Sequence, residues 1–366
     1  MVVLQWVPYN WDIGSFHSAG VDLIQGSLPT ASTTVTSFGT FQGLLYVAFG
    51  VNTTVVSIAN SFIAVLIPIP VVYLASKLYG DILTSTRGLV ALVLFLPLPF
   101  FFLTIPMRDA LSTFTVLCTL ALIVHVLSTR DVLMGLPLAC LLAVTYLLRP
   151  EWGMVLFLGF LAGATIVLYN TFEIQTSYPT LLATGGLLGG LGFVLFAEFM
   201  YSFDRVNAEL SYRSSGGAVY LEGMQYSSWL DFLVAAPGRA IYFQFAPFPM
   251  HIETVYHALA FISTVYIVVF VISAARSLYV CETDEVVLVI LLVVYLAGIT
   301  GYGLINSNFG TNVRHRIPFT FLLLVFAAPV IQRWELSVRH RLSVWPDENQ
   351  QHGPKQREAE KLDGDV

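Results

Sequence analysis

The sequence predicts an all-α membrane protein: a polytopic transmembrane helix bundle of about nine spans, with an interfacial helix and one longer external loop. Of the 366 residues, 56% are hydrophobic and only 11% are charged, and the mean hydropathy is +0.76. This composition excludes an ordinary soluble globular domain. The uncharged runs are long enough to cross a bilayer as helices, and the charges that separate them fall in short turns.

Nine apolar runs predict the spans, and several contain the glycines and prolines that membrane helices tolerate. In chain order they cover residues 54–76, 88–107, 110–129, 132–148, 152–172, 177–197, 254–275, 286–306 and 317–332. The stretch Thr36–Gly50 is apolar but short, so we expect an interfacial or re-entrant helix there. Residues 1–7 are compatible with the end of a span that begins upstream, which leaves open whether a first span is missing.

These runs divide the chain into five predicted regions. They are an external segment with interfacial helices (1–53), transmembrane helices (54–200), an external loop lying on the membrane (201–253), further transmembrane helices (254–332), and a charged cytosolic tail (333–366). We expect the tail to be disordered because it is polar and charged. In the loop, prolines at 247 and 249 exclude a continuous helix.

Three charged turns interrupt the apolar runs and predict a polar site. Arg108-Asp109 separates the second and third runs, and Arg149-Pro150-Glu151 separates the fourth and fifth. Arg314-His315-Arg316 immediately precedes the last run. Charges at such positions either bind something or lower stability, so the pattern indicates one polar site assembled at the bilayer surface.

The orientation is predicted from the basic C-terminal tail, which favours the cytosol and places the N-terminus outside after nine spans. The predicted cytosolic loops then contain four basic residues: Lys77, Arg87, Arg130 and Arg276. The external segments contain seven arginines: Arg108, Arg149, Arg205, Arg213, Arg239, Arg314 and Arg316. Either the orientation is inverted or the external arginines bind an anion. We favour anion binding, because all seven are Arg and the planar guanidinium matches phosphate oxygens.

Several features in a fixed order carry a resemblance to a known family. They are Tyr9-Asn10-Trp11-Asp12, a span containing Asn60, the Arg108-Asp109 and Arg149-Pro150-Glu151 turns, the Pro-Phe-Pro segment at 247–249, and the run from Asn308 to Phe319. In that order the chain resembles the multi-span GT-C glycosyltransferases of the protein mannosyltransferase and aminoarabinose transferase type. The resemblance covers about residues 9 to 330, and order and spacing carry it rather than any single motif.

The resemblance implies an enzyme of the cell membrane whose active site lies on the non-cytosolic face. Such enzymes pass a sugar from a polyprenyl-phosphate or dolichyl-phosphate carrier to a hydroxyl of a lipid, glycan or protein, and nucleic acid is not among their partners. By the resemblance, Asp12 matches the acid of the first external loop and is the expected catalytic base. Protein mannosyltransferases have a paired Asp-Glu where this chain has Asp12-Ile13, which argues against protein O-mannosylation.

Each candidate residue also has an ordinary structural interpretation. Asp12 either removes a proton from the acceptor or caps the helix that follows it. Asp109, the second catalytic candidate, either orients Arg108 or caps the helix beginning at Ala110. Arg108 either binds the carrier phosphate or extends to the lipid headgroups.

The other predicted substrate-binding residues are Arg149, Glu151, Arg314, His315 and Arg316. Arg149 and Glu151 either contact substrate or form a local pair that ends a helix. Arg314 and Arg316 precede a helix N-terminus, where a cationic cluster is unfavourable unless an anion is bound. His315 either relays a proton or is structural. No cofactor is certain, a divalent cation is the one candidate, and no cluster has metal-ligand spacing.

Two other functional classes remain open at this point. A transporter or flippase of lipid-linked glycan would bind the same lipids without chemistry, and transporters usually show internal repeats or charges near the middle of the membrane. A membrane glycan polymerase would also place arginines in external loops. Because the charges here gather at the ends of spans, we expect a glycosyltransferase.

Overall fold

A computed structural model describes residues 10–27, 29–172, 203–213, 219–221 and 223–343. Within these ranges the regular secondary structure is helical, and Val219 and Asn308 form an isolated antiparallel bridge. The helices are α1 (Asn10–Ile24), α2 (Thr33–Phe49), α3 (Thr53–Leu66), α4 (Pro68–Tyr79), α5 (Arg87–Phe95), α6 (Pro97–Thr104), α7 (Asp109–Thr129), α8 (Gly135–Leu148), α9 (Pro150–Thr171), α10 (Phe203–Arg213), α11 (Trp229–Phe245), α12 (Val255–Val280), α13 (Glu285–Ile305), α14 (Phe309–His315) and α15 (Ile317–Ser343). Short 3₁₀ helices cover Gly80–Ile82, Val132–Met134 and Pro249–His251.

Six helical segments of the described chain are long and apolar enough to cross a membrane. They are Thr53–Ile82, Asp109–Thr129, Pro150–Thr171, Val255–Val280, Glu285–Ile305 and Ile317–Val338. The pair α5 and α6, bent by 59°, makes a seventh if it crosses as one span. The expectation of an all-α, multi-pass membrane protein is therefore confirmed. The predicted count of nine is not shown, since 132–148 forms only the short α8 and 177–197 lies outside the described residues.

The bend between α5 and α6 follows from the prolines in the predicted span 88–107. Pro97 begins α6, and Leu96 before it has an extended backbone with ψ of 125°. A residue before proline is pushed out of the helical region, and proline cannot donate to the preceding turn. The same effect ends α11 at Phe245, two residues before Pro247, as the sequence predicts.

Helix α15 forms the centre of the bundle, and 83% of the apolar 18-residue stretch within Ile317–Val338 is buried. It packs against α12, α5 and α4, and Phe319 stacks on Trp152 of α9 with ring centroids 4.5 Å apart. Helix α13 lies close to α9 because Gly159 and Gly163 leave room for it. A Cβ at Gly163 would lie 2.5 Å from the side chain of Ile290. Small residues allow this close approach between membrane helices.

Helices α1 and α2 pack tightly against each other and hold Asp12 in the first turn of α1. A Cβ at Gly39 would lie 2.7 Å from the Cβ of Ala19, so glycine is required at the crossing. Phe16 and Phe38 meet edge to face at 5.1 Å. The predicted helix over Thr36–Gly50 is thus present as α2, and its interfacial position remains a prediction.

The charged turns lie at one end of the bundle, and the opposite end is closed by α15. There the Glu335 carboxylate accepts hydrogen bonds from Ser85 Oγ at 2.7 Å and from the Gly88 amide at 3.0 Å. We refer to these as the charged-turn end and the far end. Helix α15 continues to Ser343, so the predicted tail from residue 333 begins as helix, and residues 344–366 lie outside the described residues.

Candidate functional site

Asp109 is a buried carboxylate on which two arginines converge. It begins α7, is 3% exposed, and its Oδ1 accepts a hydrogen bond from Arg149 Nη2 at 2.6 Å. Its Oδ2 lies 3.3 Å from Arg314 Nε and 3.2 Å from Arg314 Nη2. The structure thus brings together residues that lie 40 and 205 positions apart in the chain. Both oxygens are engaged with arginine, and among the described residues no hydrogen bond from a backbone amide of α7 to this carboxylate is seen.

Arg314 joins this buried pair to an exposed acid. Its Nη1 donates to Asp12 Oδ2 at 2.8 Å, while the rest of the guanidinium faces Asp109. The side chain of Asp12 is 44% exposed, whereas that of Arg314 is 7% exposed. Among the described residues, no hydrogen bond to Asp12 Oδ1 is seen. One carboxylate oxygen therefore remains available at the edge of an otherwise buried ion cluster.

Arg108 adjoins this cluster but has unfilled hydrogen-bonding capacity. Its Nη1 donates to the Leu148 carbonyl at 3.2 Å, and its guanidinium lies over the Phe16 ring, 5.8 Å from the centroid. Its Nε is buried, and no hydrogen-bond partner for it is found among the described residues. Burial, and then the nearby Arg149, lower the pKa of Arg108 to about 10, so the side chain stays protonated at pH 7. Arg108 is also the one arginine of this cluster that is partly exposed, and a partly exposed, charged guanidinium is suited to bind an anion.

Asn60 holds the turn that carries Arg108. Its side-chain amide donates to the carbonyls of Ile105 at 2.6 Å and Met107 at 2.8 Å. Both carbonyls lie in the break between α6 and α7, where helical partners are missing. Asn60 therefore fixes the backbone from which Arg108 and Asp109 project.

Glu151 lies near this cluster, close enough for its charge to act on Arg108. His315 and Arg316 are arranged differently. His315 Nδ1 lies 3.3 Å from the Asn306 side-chain amide nitrogen, and its ring meets Tyr302 with centroids 5.2 Å apart. These contacts show how His315 is held in the fold, and its role as a proton relay stays a prediction.

Arg316 contacts a different set of groups from Arg314, and its role in substrate binding stays a prediction. It is 1% exposed, and Nη1 donates to the carbonyls of Gln244 at 3.2 Å and Ala246 at 2.8 Å. Nη2 donates to the Ser263 hydroxyl. Residues two positions apart in a helix are separated by about 200° around its axis, so the side chains of Arg314 and Arg316 point in opposite directions. Burial lowers the pKa of Arg316 to about 10, and nearby tyrosines oppose this shift.

Arg239 is a buried arginine whose contacts the sequence does not predict. Its Nε donates to the Gly303 carbonyl at 2.9 Å, and Nη2 donates to the Asn306 carbonyl at 2.7 Å. Its guanidinium lies over the ring of Tyr220, whose hydroxyl accepts from the Asn312 amide at 2.6 Å. These bonds tie α11 to the end of α13 and the start of α14, and so position the helix that presents Arg314.

In the part of the chain that the structure describes, no group of three or more His, Cys, Asp or Glu side chains is arranged to hold a metal ion. The polar atoms of the site are instead guanidinium donors and carboxylate acceptors, which suit an anionic and hydroxylated ligand. Comparison with protein-family models, with curated proteins and with solved structures found no match. The function is therefore inferred from the residues of this site.

Proposed function

We propose that this protein is a membrane glycosyltransferase that moves a sugar from a polyprenyl- or dolichyl-phosphate carrier to an acceptor hydroxyl on the non-cytosolic face. The observation that carries the proposal is the pair of contacts made by Arg314. Its guanidinium joins half-exposed Asp12 to the buried cluster beside Arg108. This juxtaposition would set a general base and an anion ligand next to each other at the end of the membrane bundle. Transfer from a lipid phosphate needs both groups.

The reaction follows from these two groups. Asp12 accepts the proton of the acceptor hydroxyl while the oxygen of that hydroxyl attacks the anomeric carbon of the sugar. The bond between that carbon and the phosphate oxygen breaks, and its electron pair leaves with the carrier phosphate. Arg108 stabilises the negative charge that develops on this phosphate. This electrostatic stabilisation is largest where water is excluded.

The two candidate acids have different roles in this proposal. Asp12 has an oxygen without a partner among the described residues, and it is exposed enough to meet an acceptor. Both oxygens of Asp109 are held by arginines, and the side chain is 3% exposed. Asp109 is therefore a positioning residue that orients Arg149 and Arg314, not a catalytic one.

The cluster contains as many acids as arginines, so its formal charge is balanced. The arginines are Arg108, Arg149 and Arg314, and the acids are Asp12, Asp109 and Glu151. Recognition of a phosphate then depends on donor geometry and not on an excess of positive charge. This favours guanidinium over ammonium at position 108, because the planar group presents several donors in fixed directions.

A transporter of the same lipids is the second candidate, and a glycan polymerase is a third. Transporters commonly place charges near the middle of the membrane. In the described helices, the side-chain hydrogen bonds within the spans include neutral pairs such as Thr119 with Thr145. The charged cluster lies instead at the starts of α7 and α9, which favours chemistry at the surface.

The decisive experiment incubates the purified, full chain with a panel of polyprenyl-phosphate sugars and measures release of the carrier phosphate. Replacement of Asp12 by Asn should lower turnover by about 10²–10⁴-fold, as expected for loss of a general base. Asp22→Asn, which changes an acid on the same helix, is the matched control and should retain wild-type turnover.

Three outcomes would contradict parts of this proposal. An Asp12→Asn protein with normal turnover would remove Asp12 as the base. Movement of intact lipid-linked sugar across vesicles without carrier release would favour the transporter. Release that depends on a growing glycan chain would favour the polymerase.

A further inference from the structure

An apolar groove of about 450 Å³ opens on the outer surface of the bundle. It lies between α3, α4, α7 and α8, and it does not include the charged cluster. Its lining includes Leu66, Ile69, Phe114, Cys118, Ala121 and Leu141. A groove of this volume is in the range of pockets that hold small ligands, and its walls suit a hydrocarbon chain.

Helix α8 is short and contributes Leu141 to the lining of the groove. Its 14 residues span about 21 Å, against a hydrocarbon thickness of about 30 Å. Only Thr145 and Leu148 are fully buried in this helix, both near its C-terminal end. Thr145 bonds Thr119 at 3.0 Å, whereas the first half of α8 is largely exposed. The first half of α8, which lies toward the far end of the bundle, therefore has little protein packed against it.

Polar and basic groups mark one end of the groove. The Tyr73 hydroxyl hydrogen-bonds His125 Nδ1 at 3.0 Å, and both residues line the groove. The ammonium of Lys77 lies over the Tyr73 ring, 5.7 Å from its centroid. His125 is 16 residues after Asp109 along α7, which corresponds to about 24 Å. This end of the groove therefore lies in the leaflet opposite the charged turns.

We propose that the groove binds one acyl chain of an anionic phospholipid from the leaflet opposite the charged-turn end, with the lipid phosphate at Lys77. Apolar walls accept the chain, and the cation at the polar end selects a negative headgroup. In the predicted orientation this is the cytosolic leaflet, where anionic lipids are concentrated. The bound chain supports the exposed half of α8, whose last residue, Leu148, accepts the hydrogen bond from Arg108.

The competing occupant is the chain of a polyprenyl-phosphate carrier. Its phosphate would lie near Arg108, at the opposite end of α7, and Lys77 would not contribute to binding. A substitution at Lys77 therefore distinguishes the two lipids. Sugar transfer is not the readout, so this proposal stands or falls independently of the glycosyltransferase activity.

The first test counts retained lipids by native mass spectrometry after reconstitution in equal parts phosphatidylglycerol and phosphatidylcholine. The wild-type chain should retain one phosphatidylglycerol in preference to phosphatidylcholine. Lys77→Ala should lower that preference about fivefold, the effect of one basic residue near an anionic surface. Arg130→Ala, which removes an exposed cation at the same end, should leave the preference unchanged.

The second test fills the groove. Ala121→Phe should abolish lipid retention, whereas Ala139→Phe on the exposed side of α8 should not. Both variants are first checked for a monodisperse elution profile, and the Lys77 result stands if Ala121→Phe fails to fold. Equal retention of the two phospholipids by the wild type would overturn the proposal. So would retention of added polyprenyl phosphate that competes with phosphatidylglycerol and ignores the Lys77 substitution.

Discussion

Replacement of Asp109 by Asn tests whether this residue is the centre of the ion cluster. The change keeps the size of the side chain and removes its charge. Arg149, 4% exposed, would then lose its carboxylate partner, and Arg314, 7% exposed, would keep only Asp12. A buried cation left without its partner keeps the desolvation penalty and loses the attraction that offset it.

The expected magnitude separates the two interpretations of Asp109. Removing one partner of a buried ion pair costs about 3–5 kcal/mol. Asn and Asp are nearly equivalent as helix caps, and loss of a cap altogether costs about 1 kcal/mol. If Asp109 only capped α7, Asn would therefore be almost silent. At roughly 2 °C per kcal/mol for a large chain, the ion-pair interpretation predicts a fall in melting temperature of about 6–10 °C.

The assay is a thermal melt of the purified protein in one detergent, with Asp81→Asn as the control. Asp81 is an exposed acid in the turn at the far end, and its substitution should change stability by less than about 0.5 kcal/mol. A double substitution with Arg149→Gln should be less destabilising than the sum of the single changes, because the two groups contact each other. A melting temperature for Asp109→Asn equal to that of the wild type would refute the reasoning.

Three further predictions follow from the same contacts. Arg108→Lys should weaken carrier binding about tenfold or more in a lipid titration, because charge-assisted hydrogen bonds contribute about 1.5–3 kcal/mol. In contrast, Arg316→Lys should lower the melting temperature and leave carrier binding unchanged. Gly303→Ala should destabilise the protein by about 1–3 kcal/mol in the same melt, because its Cβ would lie 2.5 Å from a backbone oxygen of α11. In a background without the native cysteines, Asp12→Cys should react with an impermeant thiol reagent from outside and Asp81→Cys only after permeabilisation; the reverse would invert the orientation.

The convergence of the charged turns could be predicted because membrane topology limits where a turn can lie. Arg108, Arg149 and Arg314 each stand at the end of an apolar run, so alternation of the spans places them at one face. At that face, the charged side chains contact either one another or the lipid headgroups. What the pattern did not predict was the pairing, in which Asp109 engages Arg149 and Arg314 and leaves Arg108 beside it.

The contacts of Arg239 and Arg316 could not be predicted, for a different reason. Both guanidinium groups donate to backbone carbonyls at helix ends. Every residue, proline included, offers a backbone carbonyl, so such a contact leaves no pattern in the sequence. The direction of Arg316 also depends on the short helix α14, whose phase is set by packing and not by the apolar run after it.

Four of the seven arginines in the predicted external segments have partners within the protein and do not need a phosphate ligand. Arg149 and Arg314 pair with Asp109, while Arg239 and Arg316 bind carbonyls, and all four are buried. Among the arginines of the predicted external segments whose side chains the structure describes, Arg108 alone is incompletely buried. Of the five arginines whose side chains are described, Arg108 therefore remains the candidate anion ligand. If Arg108→Lys binds the carrier as tightly as the wild type, the departure from the positive-inside rule reflects folding contacts and gives no support to a phosphate site.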